Sequence, residues 1–178
     1  KEFLAKYLPN PRVIKDGEEF KLDYGNKDTI GRVRAFYGNF NNLVRAYTYI
    51  RSLGPDGLRD VAEHSVLNAN YLKEKLRKHY RLVYDRVCMH EFVLDDSNIP
   101  NHLTTMDIAK RLIDYGFHPP TIYFPLIVHG AMMIEPTETE SKEMLDSFIF
   151  AMIKIKEETE SEPEVVRTSP HTTPVSRL

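Results

Sequence analysis

Asp56-Gly-Leu-Arg-Asp-Val-Ala-Glu-His-Ser-Val-Leu-Asn-Ala-Asn-Tyr-Leu-Lys-Glu-Lys-Leu-Arg-Lys78 is the stretch that decides the architecture. Leu58, Val61, Ala62, Ser65, Ala69, Leu72 and Leu76 recur at spacings of three and four, the period of one helix face. Such a helix is about six turns long, enough for a spine between two lobes. Upstream, Phe36, Phe40, Leu43, Val44, Tyr47 and Ile50 fall on one face of another helix. Gly54-Pro55 ends that helix, because glycine takes the left-handed cap and proline cannot continue. Further back, Asp16-Gly17 separates residues 12–15 from 18–24 and predicts a hairpin with a type I′ turn. Residues 1–8 read as a short helix stopped by Pro9 and Pro11.

Downstream of the spine the period changes. Residues 81–84 and 90–95 read as strands, with Phe92 and Leu94 alternating against Glu91 and Val93. Thr104-x-x-Asp107 predicts a capping box before a helix carrying Ile108, Leu112 and Tyr115, with Gly116 as its C-cap. Residues 121–124 and 131–135 are two further strands. Thr137-x-x-Glu140 predicts a second capping box, opening a helix with Leu145, Phe148, Ile149, Met152 and Ile155 on its apolar face. From 157 the chain is acidic, then rich in Pro, Ser and Thr, which predicts a mobile segment over 157–163. The whole is an α+β arrangement: a small, mostly antiparallel sheet covered by two helices. The first half exposes apolar faces that call for a partner surface.

Composition narrows the function classes. Among 178 residues, 24 are basic and 26 acidic, and a net charge of −2 argues against a nucleic-acid or membrane-surface protein. No apolar run approaches the roughly 20 residues of a membrane span, and no signal-peptide pattern opens the chain. Lone Cys88 forms no internal disulfide, which fits a cytoplasmic location. The chain opens with Lys1 rather than Met, so a piece of a longer protein is expected.

Motifs for autonomous chemistry are sparse. His90-Glu91 begins like a zinc motif, but the second His would stand at 94, which is Leu; no metal site is expected. The glycines are scattered singly, so there is no phosphate loop, and no G-x-S-x-G elbow exists. Phe117-His118-Pro119-Pro120-Thr121 is the most unusual segment. It reads either as a rigid turn with His118 bonded to a neighbouring carbonyl, or as a substrate-facing loop in which His118 handles a proton. Ile134-Glu135-Pro136-Thr137-Glu138 reads mainly as a strand end plus helix cap. Gly31-Arg32-Val33-Arg34 reads as a solvated basic face, with anion binding as its alternative.

Several of these runs occur together in a characteristic order. Gly31-Arg-Val-Arg-Ala-Phe-Tyr-Gly-Asn-Phe40, Asn68-Ala-Asn-Tyr71, His90-Glu91, Ala109-Lys-Arg-Leu-Ile-Asp-Tyr-Gly-Phe-His-Pro-Pro-Thr121 and Ile134-Glu-Pro-Thr-Glu-Thr-Glu140 follow one another. Over almost the whole chain, the sequence resembles the C-terminal part of glycine dehydrogenase (decarboxylating), the P-protein of the glycine cleavage system. Gly31 to Phe40 and Ser169-Pro170-His171-Thr172 resemble subunit 2 of its two-subunit form. The resemblance implies the C-terminal part of a fold-type-I transferase dependent on pyridoxal 5′-phosphate. Residues 1–55 would end the large cofactor domain, 56–79 would be the linking helix, 80–158 the small domain and 159–178 an extended tail. It implies glycine decarboxylation with transfer of the aminomethyl group to the lipoyl arm of H-protein, in a hetero-oligomer with subunit 1. No lysine of this chain has the context of the family's cofactor-bearing lysine, so the chain alone is expected to hold no covalent cofactor and to be inactive. The substrate-side candidates are His118 and Thr121, then His90; no arginine matches a motif for the glycine carboxylate. The resemblance also implies that residues 165–174 lie extended, anchored by Val165, Val166 and His171 on the cofactor domain or a second subunit.

Two other readings compete. One is the small domain of a different fold-type-I pyridoxal-phosphate enzyme, against which the runs around His118 and Glu135 argue. The other is a freestanding, non-catalytic α+β binding module, against which the uncovered apolar faces of the first two helices argue.

Overall fold

The computed structural model describes residues 2–34 and 38–173; Phe36 and Pro174, which figure in the expectations above, lie outside them. The chain divides into two compact units, Lys1–Ser52 and Leu53–Leu178.

The first unit holds a 3-10 turn (Glu2–Tyr7), the strands β1 (Arg12–Asp16) and β2 (Glu19–Asp23), and the beginning of α1 (Phe40–Leu76). The hairpin register pairs Asp16 with Glu19, so Gly17 and Glu18 form the loop. Gly17 has φ 64° while Glu18 is not among the positive-φ residues. That combination is the II′ pattern rather than the I′ turn that Asp16-Gly17 predicts. The reason is that Asp16 is the last paired residue, so glycine takes the first central position instead of the second. An Arg12–Asp23 ion pair at 2.9 Å ties the open end of the hairpin. Phe40, Leu43 and Tyr47 are all exposed on α1, at 76%, 54% and 65%. An apolar surface this size calls for cover. The isolated chain is therefore expected to self-associate or to bind a hydrophobic dye; a monodisperse, dye-silent monomer would contradict that.

In the second unit α1 resumes after a break at Gly54, whose φ of 65° and ψ of −173° are not helical. Its last turns bury Ala69, Leu72 and Leu76. The strands β3 (Arg81–Leu82), β4 (Phe92–Asp95), β5 (Thr121–Ile122) and β6 (Met132–Ile134) form an antiparallel sheet in the order β3-β4-β6-β5. With α2 (Thr105–Asp114) and α3 (Lys142–Ser161) they enclose a core that includes Tyr80, Leu94, Ile108, Leu112, Met132, Met152 and Ile155. This is the α+β arrangement with a long helix and a small antiparallel sheet that the periodicity predicts.

The helix starts differ in one respect from expectation. At α2 the Asp107 carboxylate accepts from the Thr104 N–H and hydroxyl, at 2.8 and 2.9 Å. At α3 the cap is Ser141, whose hydroxyl oxygen accepts from the Met144 N–H, and not Thr137. The Thr137 hydroxyl instead pairs with that of Thr139, and its carbonyl is taken by Asn68. Ser141 lies one turn before Leu145, the first core residue of α3, and so wins the cap.

The tail also departs from both expectations. The acidic stretch 157–161 continues α3, and α4 (Pro163–Arg167) follows, with proline in its first turn. Composition fails here because the acids have partners: Glu158 accepts both arms of Arg111 at 2.8 and 3.0 Å and the Tyr115 hydroxyl at 2.7 Å. Much of the stretch expected to be extended is therefore helical, through Ser161 in α3 and over Pro163–Arg167 in α4. Val166 and Ser169 are buried within the second unit, and the His171 and Thr172 N–H groups donate to Asp114 at 2.6 and 2.9 Å. Among the described residues no helix is long and apolar enough to cross a membrane.

Candidate functional site

The C-terminus of α2 leads directly into a cavity of the second unit. Gly116, at φ 83°, turns the chain out of α2, and its N–H caps the Ile113 carbonyl at 2.9 Å. Phe117 packs edge-on against Phe148 of α3, with ring centroids 5.4 Å apart. Pro119 and Pro120 then carry the chain into β5, where Thr121 pairs with Met133 of β6. The result is a cavity of about 460 Å³. Leu72 of α1, the 116–121 turn, the end of β6 and the first turns of α3 line it.

His118 and Thr121 both face this cavity. Among the described residues neither side chain has a hydrogen-bond partner, so no carbonyl holds the His118 ring as the rigid-turn reading requires. His90 is not in the lining. Its Nε2 stands 3.7 Å from Glu135 Oε1 and 3.8 Å from Glu91 Oε2, and Glu135 does line the cavity. Of the three residues that sequence reasoning singles out, two thus line the cavity and the third stands one carboxylate away, while that reasoning leaves out the cavity acids, Glu135 and Glu140. The signal was present in the Ile134-Glu-Pro-Thr-Glu run, but cap chemistry offered a simpler use for it.

The described lining carries one imidazole, one hydroxyl and two carboxylates, with neither lysine nor arginine. That set suits a small group that donates hydrogen bonds or carries positive charge. Pyridoxal phosphate does not fit it: a phosphate dianion requires cations or converging N–H groups, and the acids here repel it. Among the described residues no three His, Cys, Asp or Glu side chains are grouped to hold a metal ion.

A second cluster of charges is structural. Burial opposes the ionised form of Asp114, but the Thr172 and His171 N–H groups, the Thr172 hydroxyl and Arg111 outweigh it and hold the carboxyl well below its ordinary range. Burial, together with the bond to Glu158, pushes the Tyr115 hydroxyl up to about 12.

Comparison with known proteins gives this fold a family. The family model described as "Glycine dehydrogenase, C-terminal domain" matches residues 61–172. A Staphylococcus haemolyticus protein described as "Probable glycine dehydrogenase (decarboxylating) subunit 2" is 58% identical, over 100% of this chain and 36% of its own length. A Fervidobacterium nodosum protein of the same description is 57% identical, over 100% of this chain and 38% of its own length. The chain thus spans little more than a third of the length of these relatives. A crystal structure of glycine decarboxylase (P-protein) of the glycine cleavage system, in inhibitor-bound form, superposes with a TM-score of 0.65. It shares 21% identity and covers 87% of this chain and 37% of that one, which establishes the same fold. With the family model spanning most of its length, the chain belongs to the glycine dehydrogenase C-terminal domain family.

Proposed function

We propose that this chain acts as the C-terminal part of subunit 2 of a two-subunit glycine decarboxylase. In this reading residues 1–55 end the cofactor domain, 56–79 link the two domains, and the small domain begins at 80. The small domain supplies substrate-side groups, and the 159–173 stretch belongs to it as a docked end. The observation that carries the reading is the pair of uncommitted side chains, His118 and Thr121, on one cavity. An imidazole without a structural partner leaves its ring nitrogens available to a substrate, and a rigid Pro-Pro turn fixes where they stand. Thr121 can orient a substrate heteroatom by hydrogen bonding. His90 acts from the cavity's edge, through Glu135.

Pyridoxal phosphate belongs to the complete enzyme and not to this cavity, whose lining is acidic. The proposed partners are subunit 1 and lipoylated H-protein, the substrate is glycine, and the setting is the cytoplasm. The names of the relatives support the subunit assignment, and lone Cys88 is compatible with a reducing compartment.

Borohydride reduction after mixing the purified chain with pyridoxal phosphate tests the division of labour. Scattered, substoichiometric labelling of surface lysines is expected. One lysine labelled stoichiometrically would overturn the reading, because this chain would then carry the cofactor itself.

A further inference from the structure

The Asn68-Ala-Asn-Tyr71 run has no part in the chemistry above, yet its three polar side chains each reach a different segment. Asn70 grips Cys88 at both ends of its backbone. Its Oδ1 accepts from the Cys88 N–H at 3.1 Å and its Nδ2 donates to the Cys88 carbonyl at 2.8 Å. Lys73, one turn on and only 6% exposed, donates to the Arg86 carbonyl at 2.6 Å and to Asn70 Oδ1 at 3.1 Å. Asn68, 9% exposed, donates to the Thr137 carbonyl at 2.9 Å. The Tyr71 hydroxyl donates to Asp146 of α3.

The segments held this way flank the cavity's edge. His90 lies two residues after Cys88, and Glu135 two residues before Thr137. The sheet register ends at the Phe92–Ile134 pair, so ladder hydrogen bonds do not reach either side chain. Beyond that pair, α1 supplies the fixed points. An asparagine carboxamide matching one N–H and one C=O of the same residue holds a loop much as a neighbouring strand would.

We propose that Asn68 and Asn70 are positioning residues: from α1 they hold the 86–90 and 135–137 segments so that His90 meets Glu135 at the cavity's edge. The pair stands within ion-pair reach, at 3.7 Å, with Glu135 turned to the cavity as well. This rests on the reading of the cavity as the substrate site. Asn70 then acts on the reaction only through His90, and the two substitutions are not additive.

The test is a double-substitution cycle in the complete two-subunit enzyme, with glycine–bicarbonate exchange as the activity. Asn70→Ala and His90→Ala are each expected to lower kcat about tenfold with KM little changed, since a displaced group loses rate rather than binding. The double variant is expected to be no slower than either single one. A second readout needs no activity. Cys88 is the chain's single cysteine, so its reaction with a thiol reagent reports release of the loop in this chain. Asn70→Ala is expected to speed that reaction about tenfold, the loss of two hydrogen bonds. His90→Ala is expected to leave it unchanged. Lys73→Met, which removes the Arg86 tether and the Lys73–Asn70 bond but keeps both Asn70 bonds to Cys88, serves if Asn70→Ala does not fold. Multiplicative effects in the cycle, or an unchanged thiol rate, would overturn the proposal. His118→Ala measured alongside separates the two levels. If it slows exchange while His90→Ala does not, only the positioning proposal fails. If neither slows exchange, the substrate-site reading fails with it.

Discussion

His118→Ala is expected to lower glycine decarboxylation and glycine–bicarbonate exchange in the complete enzyme by about a hundredfold or more, the usual worth of a positioned acid–base group. The ring lines the cavity and has no partner among the described residues, so truncating it removes no bond the fold depends on. Thermal stability should therefore be nearly unchanged. The Pro119-Pro120 turn stays intact in the variant, which keeps the cavity wall and isolates the loss to the imidazole. His118→Gln retains hydrogen bonding but cannot carry a proton, and should recover little of the lost rate if the group moves one. Activity that falls only in proportion to stability would return His118 to the role of a turn residue.

Asp114→Ala carries the second large effect, on stability. The side chain is 3% exposed and accepts from the His171 and Thr172 N–H groups, the Thr172 hydroxyl, the His171 ring and Arg111. Removing one member of so buried a set costs about 3 kcal/mol, because two backbone amides lose their acceptor and Arg111 loses one of its two carboxylate partners. Its carboxyl titrates below the ordinary value in the folded chain, so its contribution is fully present above about pH 4, the unfolded value, and is lost as pH falls from there. Denaturant titrations at pH 7 and at pH 3 should show the gap between parent and variant narrowing in acid. A gap that widens in acid would mean the sign is wrong and Asp114 is not the anchor. Hydrogen exchange adds a local measure: amides 171–172 should be protected in this chain by itself and unprotected in the variant.

The elements that read cleanly from sequence are those whose signals are local. Leu72 and Leu76 at helical spacing, Gly54-Pro55 as a break, Phe92 and Leu94 alternating inward, and Gly116 ending α2 each depend on neighbours within a turn or two. What sequence alone could not decide was a competition between equivalent local signals. Thr137 and Ser141 are both competent caps; Ser141, one turn before Leu145, takes the role, while the Thr137 hydroxyl pairs with Thr139 and its carbonyl with Asn68, far away in the chain. The tail failed for the same reason. Its acids look solvated in sequence, but Arg111 pairs with the Glu158 charge and Tyr115 donates to it, both over forty residues away. At the site, His118 and Thr121 were legible because two prolines mark a fixed backbone. Glu135 was not, because His90 comes near it only through the pairing of β4 with β6 and the bonds from α1 to the segments beyond.

The most direct measurement of the central claim is a crystal structure of the complete two-subunit enzyme with cofactor and glycine bound. The cavity beside α2 should open onto the bound substrate, with the His118 ring and the Thr121 hydroxyl within hydrogen-bonding distance, about 3 Å, of substrate atoms or one bridging water. A structure in which that cavity faces bulk solvent, away from both glycine and cofactor, would contradict the claim that this chain supplies substrate-side groups.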